Sequence, residues 1–184
     1  MLSNVPLNPE SRVLELGCGS GQISLRIAEK YGCAVTLADS SESAIALASR
    51  LFQSQGIPVS FIQSDIFDST LSEEFDLVHN EGVIEHFHPG EWTRVMLVHR
   101  NLTRPGGHVI TFVPTASICY RVTTWMMKAT NNWYFGDETP MTFRQHSGLY
   151  REVGLELIAH TSVLGREVGL VGQRIKDARP PMVG

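Results

Sequence analysis

Three alternate glycines and one acidic side chain carry the clearest chemical signal in the sequence. The apolar run Val13–Leu16 includes Glu15, and the glycines that follow it are Gly17, Gly19 and Gly21. Such a pattern predicts a strand, a tight loop and a helix N-terminus, where backbone N–H groups can approach a ligand closely. A carboxylate beside the loop would repel a pyrophosphate and attract a cation. The sequence therefore predicts a nucleoside-like ligand that carries positive charge.

The spacing of the glycines fits neither common phosphate-binding loop. A dinucleotide-binding loop needs a glycine at the position of Gln22, and no Gly-Lys-Ser/Thr follows as in a P-loop. The sequence therefore disfavours a nicotinamide-dependent oxidoreductase. A tight turn that binds no ligand is the simplest alternative for this loop.

Two further acids follow the next predicted strands, at the strand ends where parallel sheets bind ligands. Asp39 lies 18 positions after Gly21 and can accept hydrogen bonds from both hydroxyls of a ribose. Asp65 can accept a hydrogen bond from the exocyclic amine of adenine, while the N–H of Ile66 donates to a ring nitrogen. The alternatives are that Asp39 caps the following helix, and that Asp65 is an ordinary loop acid.

Three other residues have side chains that could be reactive, and we assign none of them a metal-binding or nucleophilic role. His86 and His88 could suggest a metal, but no Cys or Asp partner lies at a zinc-like spacing, and we predict no metal site. Cys18 is interpreted as a small buried residue rather than a nucleophile.

The amino-acid composition argues against several classes of protein. The chain has 184 residues, a formal net charge of −4 and no concentration of Lys and Arg, so we expect one domain and no nucleic-acid partner. Three cysteines without a CxxC pair argue against a disulfide framework. The sequence shows no signal peptide and no apolar run long enough for a membrane span, so we expect a cytoplasmic protein without stable membrane insertion.

Alternating apolar runs and helical patterns predict an α/β fold with a doubly wound, mostly parallel sheet and helices on both faces. The predicted strands are Val13–Leu16, Val35–Ala38, Val59–Ile62, Asp76–Val78, His108–Val113 and Leu155–Ala159. The predicted helices are Gln22–Tyr31, Glu42–Gln55, Glu91–Leu102 and Thr142–Val153. We expect a single domain over residues 1–176, with an insertion at 114–140 and a flexible tail at 177–184.

Five segments in this order and spacing, ELGCGSG, LADSS, QSDIFD, FDLVHNEGVIEHF and LTRPGGHVITFVP, resemble the class I S-adenosylmethionine-dependent methyltransferases. The chain looks most like their small-molecule branch, typified by ubiquinone-biosynthesis enzymes, over about Val13–Pro114. The resemblance implies a Rossmann-like sheet of seven strands in the order 3-2-1-4-5-7-6, the last antiparallel. Val168–Ile175 is the candidate for the seventh strand, although Gly169 and Gly172 weaken it.

The resemblance also implies S-adenosylmethionine as the cofactor, with its ammonium and sulfonium near Glu15. The predicted cofactor-binding residues are Glu15, Gly17, Cys18, Gly19, Gly21, Asp39, Ser40, Asp65, Ile66, Asn80 and Glu81. His86 matches a histidine common in this branch and is the predicted general base, with Glu81 and Glu85 as alternatives. A structural role for His86 is the other interpretation.

The insertion at 114–140 is rich in aromatic residues: Tyr120, Trp125, Trp133, Tyr134 and Phe135. At helical spacing it carries the apolar stripe Ile118, Val122, Trp125, Met126 and Ala129. The stripe could pack in the core, cover an apolar acceptor as a lid, or form a dimer or membrane contact. Only about 12 residues precede the first strand, and the family usually has N-terminal cover helices there. We therefore expect either a fragment or an insertion that serves as the cover.

The function predicted from the sequence is transfer of a methyl group from S-adenosylmethionine to a small, lipophilic acceptor, with release of S-adenosylhomocysteine (SAH). For the oligomeric state of the protein, we consider a homodimer. The alternative function is a non-catalytic module that binds S-adenosylmethionine or acts as a scaffold.

Overall fold

A computed structural model describes residues 1–67, 74–133 and 136–175. The strands are Arg12–Leu16 (β1), Ala34–Asp39 (β2), Ser60–Gln63 (β3), Phe75–Glu81 (β4), Thr103–Pro114 (β5), Leu155–Val163 (β6) and Glu167–Arg174 (β7). The α-helices are Gln22–Tyr31 (α1), Glu42–Gln55 (α2), Trp92–Leu102 (α3), Ile118–Ala129 (α4) and Phe143–Glu152 (α5). The predicted tail, Tyr134 and Phe135 lie outside the described residues.

All seven strands form one sheet in the order β3-β2-β1-β4-β5-β7-β6. The strands from β3 to β5 are parallel, and β7 is antiparallel to both of its neighbours. The predicted strand order and the antiparallel seventh strand are therefore confirmed. Strand order reverses between β1 and β4, and such a reversal opens a crevice at the carboxyl ends of the strands.

Local sequence signals set the helix boundaries. The α2 helix begins after Ser41, whose Oγ accepts a hydrogen bond from the Ala44 N–H, and it ends at Gly56 in the left-handed conformation. Thr142 and Gln145 form a capping box at the start of α5. Helices α1 and α2 pack in one hydrophobic cluster, and α3 and α5 pack in another. The sheet is thus covered on both faces, as predicted.

The two glycines of β7 make room for aromatic rings. A Cβ at Gly172 would lie 2.5 Å from Cδ1 of Tyr150, and a Cβ at Gly169 would lie 2.4 Å from Cε1 of Phe112. The glycines therefore allow two large side chains to pack directly on the strand. Gly169 and Gly172, which weaken the strand pattern in the sequence, are therefore required for packing in this sheet.

Two predicted details are wrong. Strand β5 begins at Thr103 rather than His108, because Phe75 pairs with Thr103 while Leu77 already pairs with His108. Residues 104–107 thus form an irregularity within one long strand, which a Pro-Gly-Gly pattern does not suggest. The helical spacing of Ala44, Ile45, Leu47, Ala48, Leu51 and Phe52 predicts that they form the inner side of α2. Leu47, however, is 47% exposed.

The insertion forms α4, and its apolar stripe faces outward. Ile118 is 81% exposed and Trp125 is 71% exposed, while Tyr120 is the buried side chain of the helix. Core packing is therefore the wrong interpretation of the stripe. Cys119 on the same helix is exposed, and its thiol lies 3.6 Å from the carbonyl oxygen of Leu164. No helix in the described ranges is both long and apolar enough to cross a membrane.

Candidate functional site

A cavity of about 430 Å³, here called the first cavity, lies at the carboxyl ends of β1, β2 and β4. Most of the predicted site residues come together around it: Gly17, Gly19, Asp39, Ser40, Asp65, Ile66, Glu81 and His86. Four of the predicted residues, Glu15, Cys18, Gly21 and Asn80, do not line it. The strand-end edge of the sheet is thus the place where the separate sequence motifs meet.

The three glycines of the loop have different roles. All have positive φ angles, a conformation that favours glycine. A Cβ at Gly17 would lie 2.4 Å from Cγ2 of Val83, and one at Gly21 would lie 2.8 Å from Cδ1 of Leu37. These two residues are therefore needed for close packing. A Cβ at Gly19 meets no atom within 4 Å, so this glycine leaves open space at the cavity wall.

Asp39 connects the glycine loop to the start of α2. Its Oδ2 accepts a hydrogen bond from the Gly19 N–H at 3.0 Å, and its Oδ1 accepts one from the Ser41 N–H at 2.9 Å. The helix cap itself is Ser41. Asp39 thus holds the loop in position, and its carboxylate still lines the cavity with lone pairs available for a ligand.

Asp65 and Ile66 lie opposite the loop, just beyond β3. Oδ1 of Asp65 accepts a hydrogen bond from the Phe67 N–H at 2.8 Å, which fixes the turn after the strand. The Asp65 side chain is exposed on the cavity wall. A planar, nitrogen-rich group could therefore reach both this carboxylate and the backbone at Ile66.

Glu15 lies buried beneath the loop rather than on the cavity wall. It is 3% exposed, and its Oε2 has no hydrogen-bond partner among the described residues. Burial raises the pKa of Glu15 to about 7, although hydrogen bonds from the side chain and backbone of Ser24 act in the opposite direction. Oγ of Ser24 lies 3.1 Å from Nε2 of His79, which extends this polar group beneath β1.

Three other residues that were predicted to contact the cofactor interact with other parts of the fold. Gly21 is the N-cap of α1. Cys18 is buried in the hydrophobic core, where desolvation raises the pKa of its thiol to about 12. Nδ2 of Asn80 lies 2.6 Å from Nε2 of the buried His99. Asn80 is on β4 next to Glu81, which lines the first cavity, and neighbouring residues of a strand face opposite sides of the sheet.

A second cavity of about 290 Å³ adjoins the first and shares Glu81, Gly82 and His86 with it. Part of its wall is apolar or aromatic: Phe112, Val113, Pro114, Tyr120 and Trp133. Apart from Gly82, the rest has ionisable side chains: Glu81, Glu85, His86, Glu138, Arg166 and Glu167. The insertion thus contributes side chains to a pocket beside the predicted cofactor position.

The chain after α4 is held over the second cavity by several hydrogen bonds. The Thr139 N–H donates to the carbonyl oxygen of Glu85 at 2.9 Å, and the Tyr120 hydroxyl donates to Oε2 of Glu138 at 2.8 Å. Nδ1 of His86 lies 3.2 Å from the carbonyl oxygen of Asp137. The Nδ1–H must donate in this contact, because a carbonyl oxygen only accepts, so the neutral ring keeps its lone pair on Nε2.

Sequence reasoning missed the acidic character of this cavity. A carboxylate oxygen of Glu85, a ring nitrogen of His86 and a carboxylate oxygen of Glu138 all lie within 4.8 Å of one another. Glu138 is far from the other two along the chain, so no spacing rule reveals the cluster. The one available signal was an acid at the end of an aromatic insertion.

Comparison with known proteins gives consistent results. The profile of the methyltransferase domain family matches residues 13–107. Release factor glutamine methyltransferase of Shewanella oneidensis is 35% identical over 95 residues, which is 48% of this chain and 33% of that protein. Glycine/sarcosine/dimethylglycine N-methyltransferase of Actinopolyspora halophila is 28% identical over 120 residues, 64% of this chain and 21% of that protein.

A solved structure shows the same fold. Magnesium protoporphyrin IX methyltransferase from Synechocystis PCC 6803, solved with bound SAH, aligns with a TM-score of 0.74 at 16% sequence identity. The alignment covers 94% of this chain and 77% of that protein. The chain thus shares a fold with this larger protein, and it spans a third or less of the two relatives above.

Proposed function

The chain belongs to the methyltransferase domain family, and on this basis we propose that it transfers a methyl group from S-adenosylmethionine to a small, lipophilic acceptor. Its own residues fit this cofactor in three places. The open space at Gly19 can hold the methionine end, the Asp39 carboxylate can accept from ribose hydroxyls, and Asp65 with Ile66 can hold adenine. Each contact would be made at the first cavity.

Glu15 supplies the charge that this cofactor needs. Its unpartnered, buried Oε2 is an unusual feature, because buried carboxylate oxygens normally have hydrogen-bond partners. The positive charge of an ammonium above the loop would stabilise the ionised carboxylate, either directly or through a water molecule. The structure solved with SAH supports the choice of ligand, since its fold is the same.

The single observation that carries the proposal of catalysis is the second cavity. A module that only binds the cofactor needs one cavity, whereas a transferase needs a second one next to it for the acceptor. The two cavities share Glu81, Gly82 and His86, so an acceptor in the second would lie beside a cofactor in the first. The apolar half of the wall, including Phe112 and Trp133, supports a lipophilic acceptor.

When bound, S-adenosylmethionine supplies a methyl group that the lone pair of the acceptor can attack as the carbon–sulfur bond breaks and its electron pair stays on sulfur. The residues of this chain must position the acceptor and exclude water. We propose that Tyr120 and Trp133 do both, because their rings meet edge to face at 6.4 Å on the cavity wall. His86, with its lone pair on Nε2, is the proposed general base.

The experiment combines binding with turnover. Calorimetry with SAH tests the first cavity, and transfer of a labelled methyl group to lipophilic phenols, carboxylic acids and amines tests the second. A Trp133→Ala variant should raise the KM for the acceptor and leave SAH binding unchanged. Binding of SAH without turnover on any acceptor would favour the non-catalytic module, and absence of SAH binding would refute both functions.

The exposed stripe on α4 leaves the lid and the homodimer open as proposals. If α4 is a lid, Trp125→Ser should alter acceptor KM while the protein keeps its oligomeric state. If the stripe is an interface, the same change should convert a dimer to a monomer. Light scattering and steady-state kinetics on one variant thus separate the two proposals.

A further inference from the structure

The charges around the second cavity are strongly unbalanced. Four acidic side chains line it, Glu81, Glu85, Glu138 and Glu167, whereas Arg166 is the one permanent cation among its described lining residues, so negative charge is in excess even when Glu85 is protonated. An anionic acceptor, such as a carboxylate or a phenolate, would enter a field of like charge. A cationic acceptor would be attracted instead.

The surroundings of Glu85 indicate that a ligand binds beside this side chain. It is 2% exposed, and its Oε2 has no hydrogen-bond partner among the described residues, although the side chain lines the cavity. Burying a carboxylate oxygen without a hydrogen-bond partner costs free energy, unless a ligand supplies the missing hydrogen bond. Its nearest acidic neighbour is Glu138, and the two lie close enough for one donor group to reach both carboxylates.

The aromatic wall suits the same kind of ligand. Tyr120, Trp133 and Phe112 line the cavity, and the rings of Tyr120 and Trp133 meet edge to face. Aromatic faces attract cations and also pack against apolar groups. The Tyr120 hydroxyl is already committed to Glu138, so this ring presents mainly its apolar surface.

We propose that the acceptor is a small amine, whose nitrogen donates hydrogen bonds to Glu85 and Glu138 and whose apolar body packs against the aromatic wall. This inference rests on the proposed function, since it assigns the substrate class of the same site. An amine arrives as an ammonium and has no free lone pair, so it must first release one proton. For an amine acceptor, Glu85 rather than His86 accepts that proton. The nitrogen then gains the methyl group, and one proton in total leaves for solvent.

The electrostatics of Glu85 give a readout that is independent of turnover. Burial, together with the nearby carboxylates of Glu138, Glu167 and Glu81, raises the pKa of Glu85 to about 8. Arg166 also lines the cavity and favours the ionised form. The pKa of about 8 is the net result, so near neutral pH the Glu85 carboxyl is largely protonated in the free protein. Binding of an ammonium beside it should expel that proton into the buffer.

The test uses the protein saturated with SAH and three amines: phenethylamine, tryptamine and hexylamine. Each is compared with its matched alcohol and its matched carboxylic acid by calorimetry in two buffers of different ionisation enthalpy. We expect each amine to bind at least about tenfold more tightly than its partners, and to release close to one proton at about pH 7. The Glu85→Gln and Glu138→Gln variants should each weaken amine binding about tenfold. Glu85→Gln should also abolish proton release.

Glu156→Gln is the matched control, because Glu156 is exposed on β6 and lines neither cavity. Unchanged SAH binding in all variants shows that the fold and the first cavity are intact. Alcohols or acids that bind as well as the amines, or no detectable amine binding by SAH-saturated protein, would overturn the proposal. Tight binding of Mn²⁺ that displaces the amines would also overturn it and assign the cluster to a metal. If the wild-type protein does not bind SAH at all, the proposed function itself is refuted.

Discussion

Replacing Glu15 by Gln should change how the stability of the protein depends on pH. The Glu15 carboxyl is almost fully buried, and burial raises its pKa from the ordinary 4.5 to about 7. The folded protein therefore keeps this proton up to about pH 7, whereas the unfolded chain releases it near its ordinary pKa. Because the folded state binds more protons in this window, the free energy of unfolding falls as the pH rises through it.

The size of the effect follows from the two pKa values. A rise from 4.5 to about 7 corresponds to about 3 kcal/mol, at about 1.4 kcal/mol for each tenfold change in the equilibrium constant. Gln has the shape of the protonated carboxyl and can still accept the Ser24 hydrogen bond, but it carries no charge. The Glu15→Gln variant should therefore exceed the wild type by up to about 3 kcal/mol near pH 8 and by little near pH 4.

Urea denaturation at a series of pH values, followed by tryptophan fluorescence, measures this difference. Buried histidines with lowered pKa values, His79, His99 and His146, destabilise the folded state as the pH falls below their ordinary range. They are present in both proteins, so their effect cancels in the comparison. Glu29→Gln on the exposed side of α1 is the matched control. A difference between wild type and variant that is the same at both ends of the pH range would refute the reasoning.

Four other outcomes are expected. Asp39→Ala should weaken SAH binding by about 1.5–3 kcal/mol, the usual value of hydrogen bonds to a charged group, and calorimetry that finds unchanged affinity would contradict the ribose assignment. If Asp65 accepts from the adenine amine, the inosine analogue of SAH should bind more weakly than SAH, and equal affinities would argue against that contact. Gly172→Ala should destabilise the fold by about 1–3 kcal/mol, because its Cβ would meet the Tyr150 ring. Gly148→Ala in α5, where a Cβ meets nothing within 4 Å, should instead stabilise it by about 0.5–1 kcal/mol, as denaturation curves would show.

The parts of the fold that sequence predicted are those set by local signals. The boundaries of α1 and α2 were predicted to the residue, because glycine and serine caps mark their ends. The strand order came from resemblance rather than from the pattern, since alternation alone does not say which strands are neighbours. Within α2 the pattern placed Leu47 inside, but the exposed fraction of a side chain depends on what packs against the helix.

The first cavity was predictable because each of its motifs directly follows a strand. Gly19, Asp39 and Asp65 all lie at carboxyl ends of parallel strands, so one sheet brings them to one edge. Glu15 was correctly singled out as an acid next to the loop, but its burial beneath the loop depends on the position of α1.

The second cavity was not predictable in the same way. Glu138 and Thr139 reach Glu85 because the chain after α4 folds back over the end of β4, and no periodic pattern encodes that return. The helical spacing of the stripe on α4 correctly indicated a helix. It did not show which side of the helix packs, because Tyr120 rather than the stripe faces inward. The assignment to the ubiquinone-type branch stays a prediction.

The exposed thiol on α4 provides a ready attachment point for a spectroscopic probe. Cys18 and Cys33 are buried, and burial raises the pKa of both thiols, so a maleimide should react selectively with Cys119. A fluorophore there would lie on the helix that borders the second cavity, one residue before the inward-facing Tyr120. The unmodified sequence thus carries a single labelling site from which changes in the surroundings of α4 can be followed as each cavity fills.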